Sequence, residues 1–184
     1  MKVLITGGAG FIGSHLTEKL VMLGHSVVVL DNFSTGLSKN LERCQESQGV
    51  EVVDGSVLDI AVLGPLIEKA DYIFHLAAAV GVFNIVNNPL ASLLTNIRGT
   101  ENVLELAYGT NPPVLITSSS EVYGKNVSNS LKEVDDRILG SPTVLRWSYS
   151  EAKAIDESLA YAYFVERQLE TRIVRFFNTV GPRQ

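Results

Sequence analysis

Cys44 is the chain's one cysteine, so no intrachain disulfide can form, which fits a reducing cytoplasm. Histidine is nearly as scarce. His15 and His75 stand in no spacing that would ligate a metal, and both are read as packing residues, one on a helix face and one at a strand end. Lysine and arginine are unclustered and the formal net charge is −5, which argues against nucleic acid or an anionic membrane surface as the main partner. The sequence lacks an internal repeat and a low-complexity tract. From Tyr72 to Ile97 it also lacks Asp, Glu, Lys and Arg, but Asn84, Asn87, Asn88, Pro89 and Asn96 would leave polar groups unsatisfied in lipid. That stretch is read as a buried strand, a loop and a helix start. Met1-Lys2 opens directly into an apolar run, so no secretion signal is expected and the chain is expected in the cytoplasm.

What is present suits one soluble core: 46% hydrophobic and 19% charged residues over 184 positions. The most informative stretch is Thr6-Gly7-Gly8-Ala9-Gly10-Phe11-Ile12-Gly13. It follows the β-like run Lys2–Thr6 and precedes a helical pattern in which Phe11, Ile12, His15, Leu16, Lys19, Leu20 and Leu23 recur, with Gly24 placed to cap the helix end. This spacing reads as a dinucleotide-binding turn. Gly7 permits the turn out of the strand, Gly10 lets backbone approach a pyrophosphate, and Gly13 lets the helix pack closely. The helix start offers unpaired N–H groups to the phosphates.

A second apolar run, Val27–Leu30, ends at Asp31, roughly 20 residues beyond the glycines, where an adenosine ribose would present its 2′-hydroxyl. Asp31 therefore favours NAD over NADP, because a 2′-phosphate would bring about two negative charges against the carboxylate. None of the next seven residues is Arg or Lys to offset them.

Further apolar runs at Val50–Val53, Tyr72–Leu76, Val114–Thr117 and Arg172–Phe176 alternate with helical patterns near Ile60–Lys69, Pro89–Tyr108 and Ser148–Leu169. Strict alternation predicts an α/β fold, a Rossmann-type doubly wound parallel sheet with helices on both faces and ligands at the carboxyl ends of the strands. The longest irregular stretch, Lys125 to Trp147, is polar and expected to frame a site.

Near the start of the last helical pattern, Tyr149 and Lys153 are four residues apart and so share a face. A lysine ammonium beside a phenol favours the phenolate, and a positively charged oxidised nicotinamide would add to this, drawing the tyrosine pKa from about 10 toward neutrality. Tyr149 then becomes a usable base for a substrate hydroxyl.

Several motifs together resemble the extended short-chain dehydrogenase/reductase family, and within it the enzymes that modify sugars attached to nucleoside diphosphates. They are the glycine turn, Asp31-Asn32, His75-Leu76-Ala77-Ala78, Asn96 with Gly99-Thr100, Ser118 through Gly124, the Tyr149/Lys153 pair and Arg175 through Arg183. The resemblance spans essentially the whole chain. It implies that Tyr149 takes the proton from a sugar C4 hydroxyl while NAD+ takes hydride from C4, leaving a 4-keto sugar, with Lys153 also holding the nicotinamide ribose. It implies further that Gly7, Gly10, Phe11, Ile12 and Gly13 lie against the pyrophosphate and that Leu76, Ala77 and Ala78 line the cofactor. Asn32, Ser56, Val57, Asn96, Ser118 and Phe177 are placed by the same resemblance among the cofactor contacts. Ser119 would bond the substrate hydroxyl, Ser120 and Glu121 would complete the catalytic group, and Asn178, with Ser120, would reach the substrate. A homodimer is implied through helices Pro89–Tyr108 and Ser148–Leu169.

The fate of the ketone separates the subfamilies. Ser119-Ser120-Glu121 is similar to the strand-end motif of UDP-glucuronate decarboxylases. Enzymes resembling UDP-glucose 4-epimerase usually lack a carboxylate at the Glu121 position. The dehydratases acting on thymidine-linked glucose carry Asp then Glu, and Ser120 cannot act as that acid at neutral pH. GDP-mannose dehydratases also show Ser before Glu, but their preference for NADP sits badly with Asp31. Decarboxylation is chemically coherent, since a C4 ketone places the C6 carboxylate β to a carbonyl.

Two departures accompany this pattern. Gly55-Ser56-Val57 stands where the family has an acidic residue before an aliphatic one, leaving the Val57 backbone to meet the adenine amino group. The chain also ends at Gln184, where the family runs on into a substrate-binding domain; residues 1–184 are read as one NAD-binding domain. The alternatives are therefore a UDP-sugar 4-epimerase, or an NAD-binding fragment or sensor without turnover.

Overall fold

A computed structural model of the chain describes residues 1–45, 49–128 and 130–184. Six parallel strands run in the order β3-β2-β1-β4-β5-β6: β1 Lys2–Thr6, β2 Ser26–Asp31, β3 Val50–Asp54, β4 Tyr72–His75, β5 Val114–Ser119 and β6 Thr171–Phe176. The order reverses between β1 and β4, and that switch point opens a crevice at the carboxyl ends of the strands. The helices are α1 Phe11–Met22, α2 Glu42–Gln45, α3 Ile60–Ile67, α4 Val82–Asn87, α5 Pro89–Thr110 and α6 Ser148–Arg167.

Period-two alternation along the strands sends side chains to two separate cores. On one face Leu4, Val28, Leu30, Ile73 and Ile116 pack with Leu63 and Ile67 of α3, Val103 and Leu104 of α5 and Ala160 of α6. On the other, Val3, Ile5, Val27 and Val29 pack with Leu16 and Leu20 of α1 and with Leu41. The doubly wound sheet expected from the sequence is thus present, with β1 and β2 buried on both sides.

Helix signals work where they carry a mechanism. Asp59 caps α3, its Oδ1 accepting from Ala61 N and Val62 N at 3.0 and 3.4 Å. Pro89 opens α5, and Gly24 follows the α1 C-cap Leu23 in the left-handed region at φ +81°. The predicted end of α3 at Lys69 falls instead at Ile67. Helix α4 lies where the sequence reading placed a loop, and the pair formed by a 3-10 turn at Ser38–Leu41 and α2 lies where it assigned no element. Between Lys125 and Trp147 the described residues are irregular apart from the 3-10 turn Leu145–Trp147, and one bridge, Gly124 to Ile138, pins this segment. No helix among the described residues is long and apolar enough to cross a membrane.

The β1–α1 turn sets where the crevice forms. Gly7 adopts φ +73°, and a Cβ on Gly13 would overlap the Gly7 carbonyl oxygen while standing 2.7 Å from Gly8 Cα. The obstacle is backbone on both counts, so nothing can rotate away. Gly13→Ala is expected to cost about 2 kcal/mol of stability through this overpacking, read as a lowered midpoint in chemical denaturation with the slope unchanged.

Candidate active site

A cleft of about 790 Å³ lies over the switch point. Gly7, Gly10, Phe11, Ile12 and Gly13 form its floor. Helix α1 has Gly10 as N-cap, with no side-chain cap and no acidic residue in the first turn, so its leading N–H groups and the positive end of its dipole remain available to an anion. A Cβ at Gly10 would stand 3.3 Å from Gly7 O and fill the cradle. These residues fit a dinucleotide pyrophosphate.

At the rim, Asp31 ends β2 and is 8% exposed. Its Oδ2 accepts from Ala9 N at 2.8 Å and its Oδ1 from Phe33 N at 2.9 Å. The carboxylate therefore ties the glycine turn to the loop that carries Asn32, Ser34, Thr35 and Gly36 along the cleft, and it keeps further lone pairs for a ribose hydroxyl. Ser56 and Val57 line the same end, but Val57 O already accepts from Asn102 Nδ2 at 3.0 Å. Leu76, Ala77 and Ala78 form the wall beyond β4. Asn96 corrects the sequence expectation, for it stands behind this wall. Its Oδ1 accepts from Ala79 N at 2.7 Å and its Nδ2 donates to Ala79 O at 3.2 Å, which fixes the wall's backbone.

His75 and His15 both hydrogen-bond within the fold. His75 is buried between Thr6 Oγ1 at 2.7 Å and Thr100 Oγ1 at 3.2 Å, and burial, reinforced by the Lys153 charge, pushes its pKa down to about 3, so it is neutral. His15 Nε2 meets Pro182 O at 3.1 Å.

Tyr149 and Lys153 open from the first turns of α6 onto the cleft, together with Ser118, Ser119 and Phe177. Their electrostatics differ from the sequence expectation. The Lys153 ammonium is 2% exposed and donates to Asp156 Oδ2 at 3.1 Å, so its charge is compensated within the protein. The Tyr149 phenol is pushed up to about 12, first by burial and then by the negative charges of Glu121 and Asp156. Spacing showed the lysine but not the carboxylates around it.

Besides Asn96, three expected site residues stand outside the cleft lining: Ser120, Glu121 and Asn178. Ser120 and Glu121 belong to a 3-10 turn, Ser120–Tyr123, capped by Ser119 Oγ, which accepts from Glu121 N at 3.2 Å. The Glu121 carboxylate pairs with Arg146 Nη1 at 3.2 Å, and its backbone carbonyl accepts from Ser150 Oγ at 2.7 Å. Asn178 is exposed past the end of β6. Among the described residues no group of His, Cys, Asp and Glu is placed to hold a metal ion.

Residues 3–184 match the model of the NAD dependent epimerase/dehydratase family. The chain belongs to that family. It is 41% identical over 182 residues to a UDP-N-acetyl-alpha-D-glucosaminuronate decarboxylase of Bacillus cytotoxicus, covering 99% of this chain and 56% of the relative. It is likewise 41% identical over 183 residues to UDP-glucuronic acid decarboxylase 1 of Xenopus tropicalis, covering 99% and 42%. Among solved structures, the dTDP-glucose 4,6-dehydratase DesIV of Streptomyces venezuelae, with NAD and TYD bound, superposes with a TM-score of 0.90 at 31% identity over 100% of this chain and 58% of that one. The chain spans about half the length of the curated relatives it matches.

For a member of an NAD-dependent family, the sequence reading missed several lining residues. Asn88, Ala91, Ser92 and Thr95 border the cleft from the start of α5, and Arg183 from the chain's last turn. The Asn88-Pro89 helix-start signal could have placed the first four at the mouth of a strand-end crevice. Asp31→Ala is expected to weaken NAD binding about tenfold and to narrow the preference over NADP. Fluorescence titration with both dinucleotides checks this, and an unchanged ratio of affinities rejects the ribose assignment.

Proposed function

We propose that this chain oxidises the C4 hydroxyl of a nucleoside-diphosphate sugar, with Tyr149 as proton acceptor, and that the reaction served is decarboxylation of UDP-glucuronate. The observation that carries the first step is that Tyr149 and Lys153 open onto the same cleft as the glycine turn. NAD+, when bound, supplies the hydride acceptor, returns that hydride at the end, and brings a positive ring that favours the Tyr149 phenolate.

The protein's own groups do the rest. The Tyr149 phenolate oxygen takes the C4 hydroxyl proton as C4 loses hydride, and Lys153 lowers the cost of that phenolate. Ser119, lining the cleft, orients the hydroxyl. In the 4-keto sugar the C5–C6 bond breaks, carbon dioxide leaves, and the electron pair is taken up by the C4 carbonyl as an enolate. Protonation at C5 and return of hydride to C4 then give the pentose. Support for decarboxylation comes from the two decarboxylases with 41% identity and from the Ser119-Ser120-Glu121 sequence.

A second reading, 4-epimerisation, is favoured by the position of Glu121. Its carboxylate is paired to Arg146 outside the cleft lining, and an epimerase needs no further acid or base once the ketone has formed. Mass spectrometry after incubation with NAD+ and, separately, UDP-glucuronate and UDP-glucose distinguishes these. Loss of carbon dioxide from the glucuronate supports decarboxylation. An isomer of unchanged mass and altered retention supports epimerisation, and unchanged substrate from a chain that binds NAD supports cofactor binding without turnover. Tyr149→Phe is expected to keep NAD affinity while slowing sugar oxidation by about a thousandfold; equal loss of both would make the tyrosine structural.

We also infer a homodimer through α5 and α6, where Leu90, Tyr161 and Phe164 are more than half exposed. Sedimentation at micromolar concentration should show a dimer, and a monomer alone would reject the contact.

A further inference from the structure

A buried polar chain ending at Lys153 joins two strands, β1 and β4, to two helices, α5 and α6. Ala77 N donates to Thr6 Oγ1 at 3.3 Å, and Thr6 Oγ1 lies 2.7 Å from His75 Nδ1. His75 Nε2 lies 3.2 Å from Thr100 Oγ1 of α5. Burial pushes the Asp156 carboxyl up, opposed first by the Lys153 ammonium, which donates to Asp156 Oδ2 at 3.1 Å, and then by the Thr100 hydroxyl, both favouring the charged form. Thr6, His75, Thr100, Lys153 and Asp156 are all 2% exposed or less.

Both ring nitrogens of the neutral His75 are hydrogen-bonded to threonine hydroxyls, so the ring donates to one of Thr6 and Thr100 and accepts from the other. Asp156 takes the Lys153 ammonium on Oδ2 while its Oδ1 is left without a hydrogen-bond partner, so the carboxylate is held chiefly by the lysine.

We propose that Asp156 is the positioning residue of the proton-transfer pair: it fixes the Lys153 ammonium below the cleft and sets how much of that charge reaches Tyr149. This rests on the reading of Tyr149 as the proton acceptor. Besides burial, the charges acting on the phenol are the carboxylates of Glu121, from the 3-10 turn after β5, and Asp156, from α6, and Lys153 lines the same cleft. Glu157, the other carboxylate beside Asp156, is engaged by Arg175 at 2.7 and 2.8 Å. Asp156 is thus the group that neutralises Lys153. Its negative charge, like that of Glu121, holds the phenol protonated in this state.

The test reads the phenol directly and needs no turnover, so it fails independently of the sugar reaction. Tyrosine labelled with carbon-13 at Cζ is followed by NMR from pH 7 to 11 in the whole chain, with the Tyr149 signal assigned by its loss in Tyr149→Phe. In the parent chain that signal should stay flat over this range. In Asp156→Asn, whose carboxamide oxygen still accepts from Lys153, the midpoint should fall by about one pH unit or more, bringing its onset into the window. Asp156→Glu, which keeps the charge, should restore the flat response. A flat signal in folded Asp156→Asn overturns the proposal. Should that variant lose its fold, the nitrogen-15 spectrum of the parent decides. Lys153, assigned by Lys153→Arg, should give an ammonium signal that exchanges slowly with water, and one as fast as the surface lysines overturns it.

Discussion

Gly7 O accepts from Gly10 N at 3.2 Å and stands where a side chain on Gly13 would have to go, so β1 and α1 approach each other through bare backbone. The cleft depends on that approach. Because the turn closes so tightly, the first N–H groups of α1 point over the strand ends instead of out to solvent, and the wall at Leu76–Ala78 can come up beside them. Leu76 N donates to Thr6 O and Ala77 N to Thr6 Oγ1, so the same residue that ends β1 also anchors the wall. Remove the close approach and the floor, the wall and the polar chain through His75 lose their common origin.

The electrostatics of the site are set by partners that no local pattern announces. Lys153 and Asp156 are three residues apart on one helix, which in a sequence looks like an ordinary solvated charge pair. Here both are buried and compensate each other, while burial of the neighbouring phenol and the charges of Glu121 and Asp156 keep it protonated. Glu121 acts on the same phenol from a different element while its carboxylate is engaged by Arg146, itself stacked over Trp147 at 5.1 Å. The chemistry of Tyr149 is therefore governed by what is brought into the cleft as well as by what lines it.

The strands and longer helices were legible because their periodicity is strong. Val27–Leu30 is a continuous β-branched and aliphatic run, and Pro89 and Asp59 are start signals with a mechanism. Helix α4 was not, since Val82–Asn87 is rich in β-branched and asparagine residues that favour no helix locally and follows a glycine in the left-handed region. In the site, the glycines, Asp31 and the Tyr149/Lys153 pair could be read from spacing, because each needs a fixed interval along the chain. Asn96, Ser120, Glu121 and Asn178 could not be placed that way. Which side of a wall a residue occupies is decided by tertiary hydrogen bonds such as those from Asn96 to Ala79.

Asp31 performs two jobs with one carboxylate: it holds Ala9 and Phe33 in place, and it lines the cleft. Under the ribose assignment, cofactor choice and the shape of the turn are inherited together. A descendant of this chain that came to prefer the phosphorylated dinucleotide could not simply trade acid for base at position 31. Two backbone donors would be orphaned in the same step, and new acceptors for them would have to arise first. Position 31 is protected from drift by the architecture that it supports.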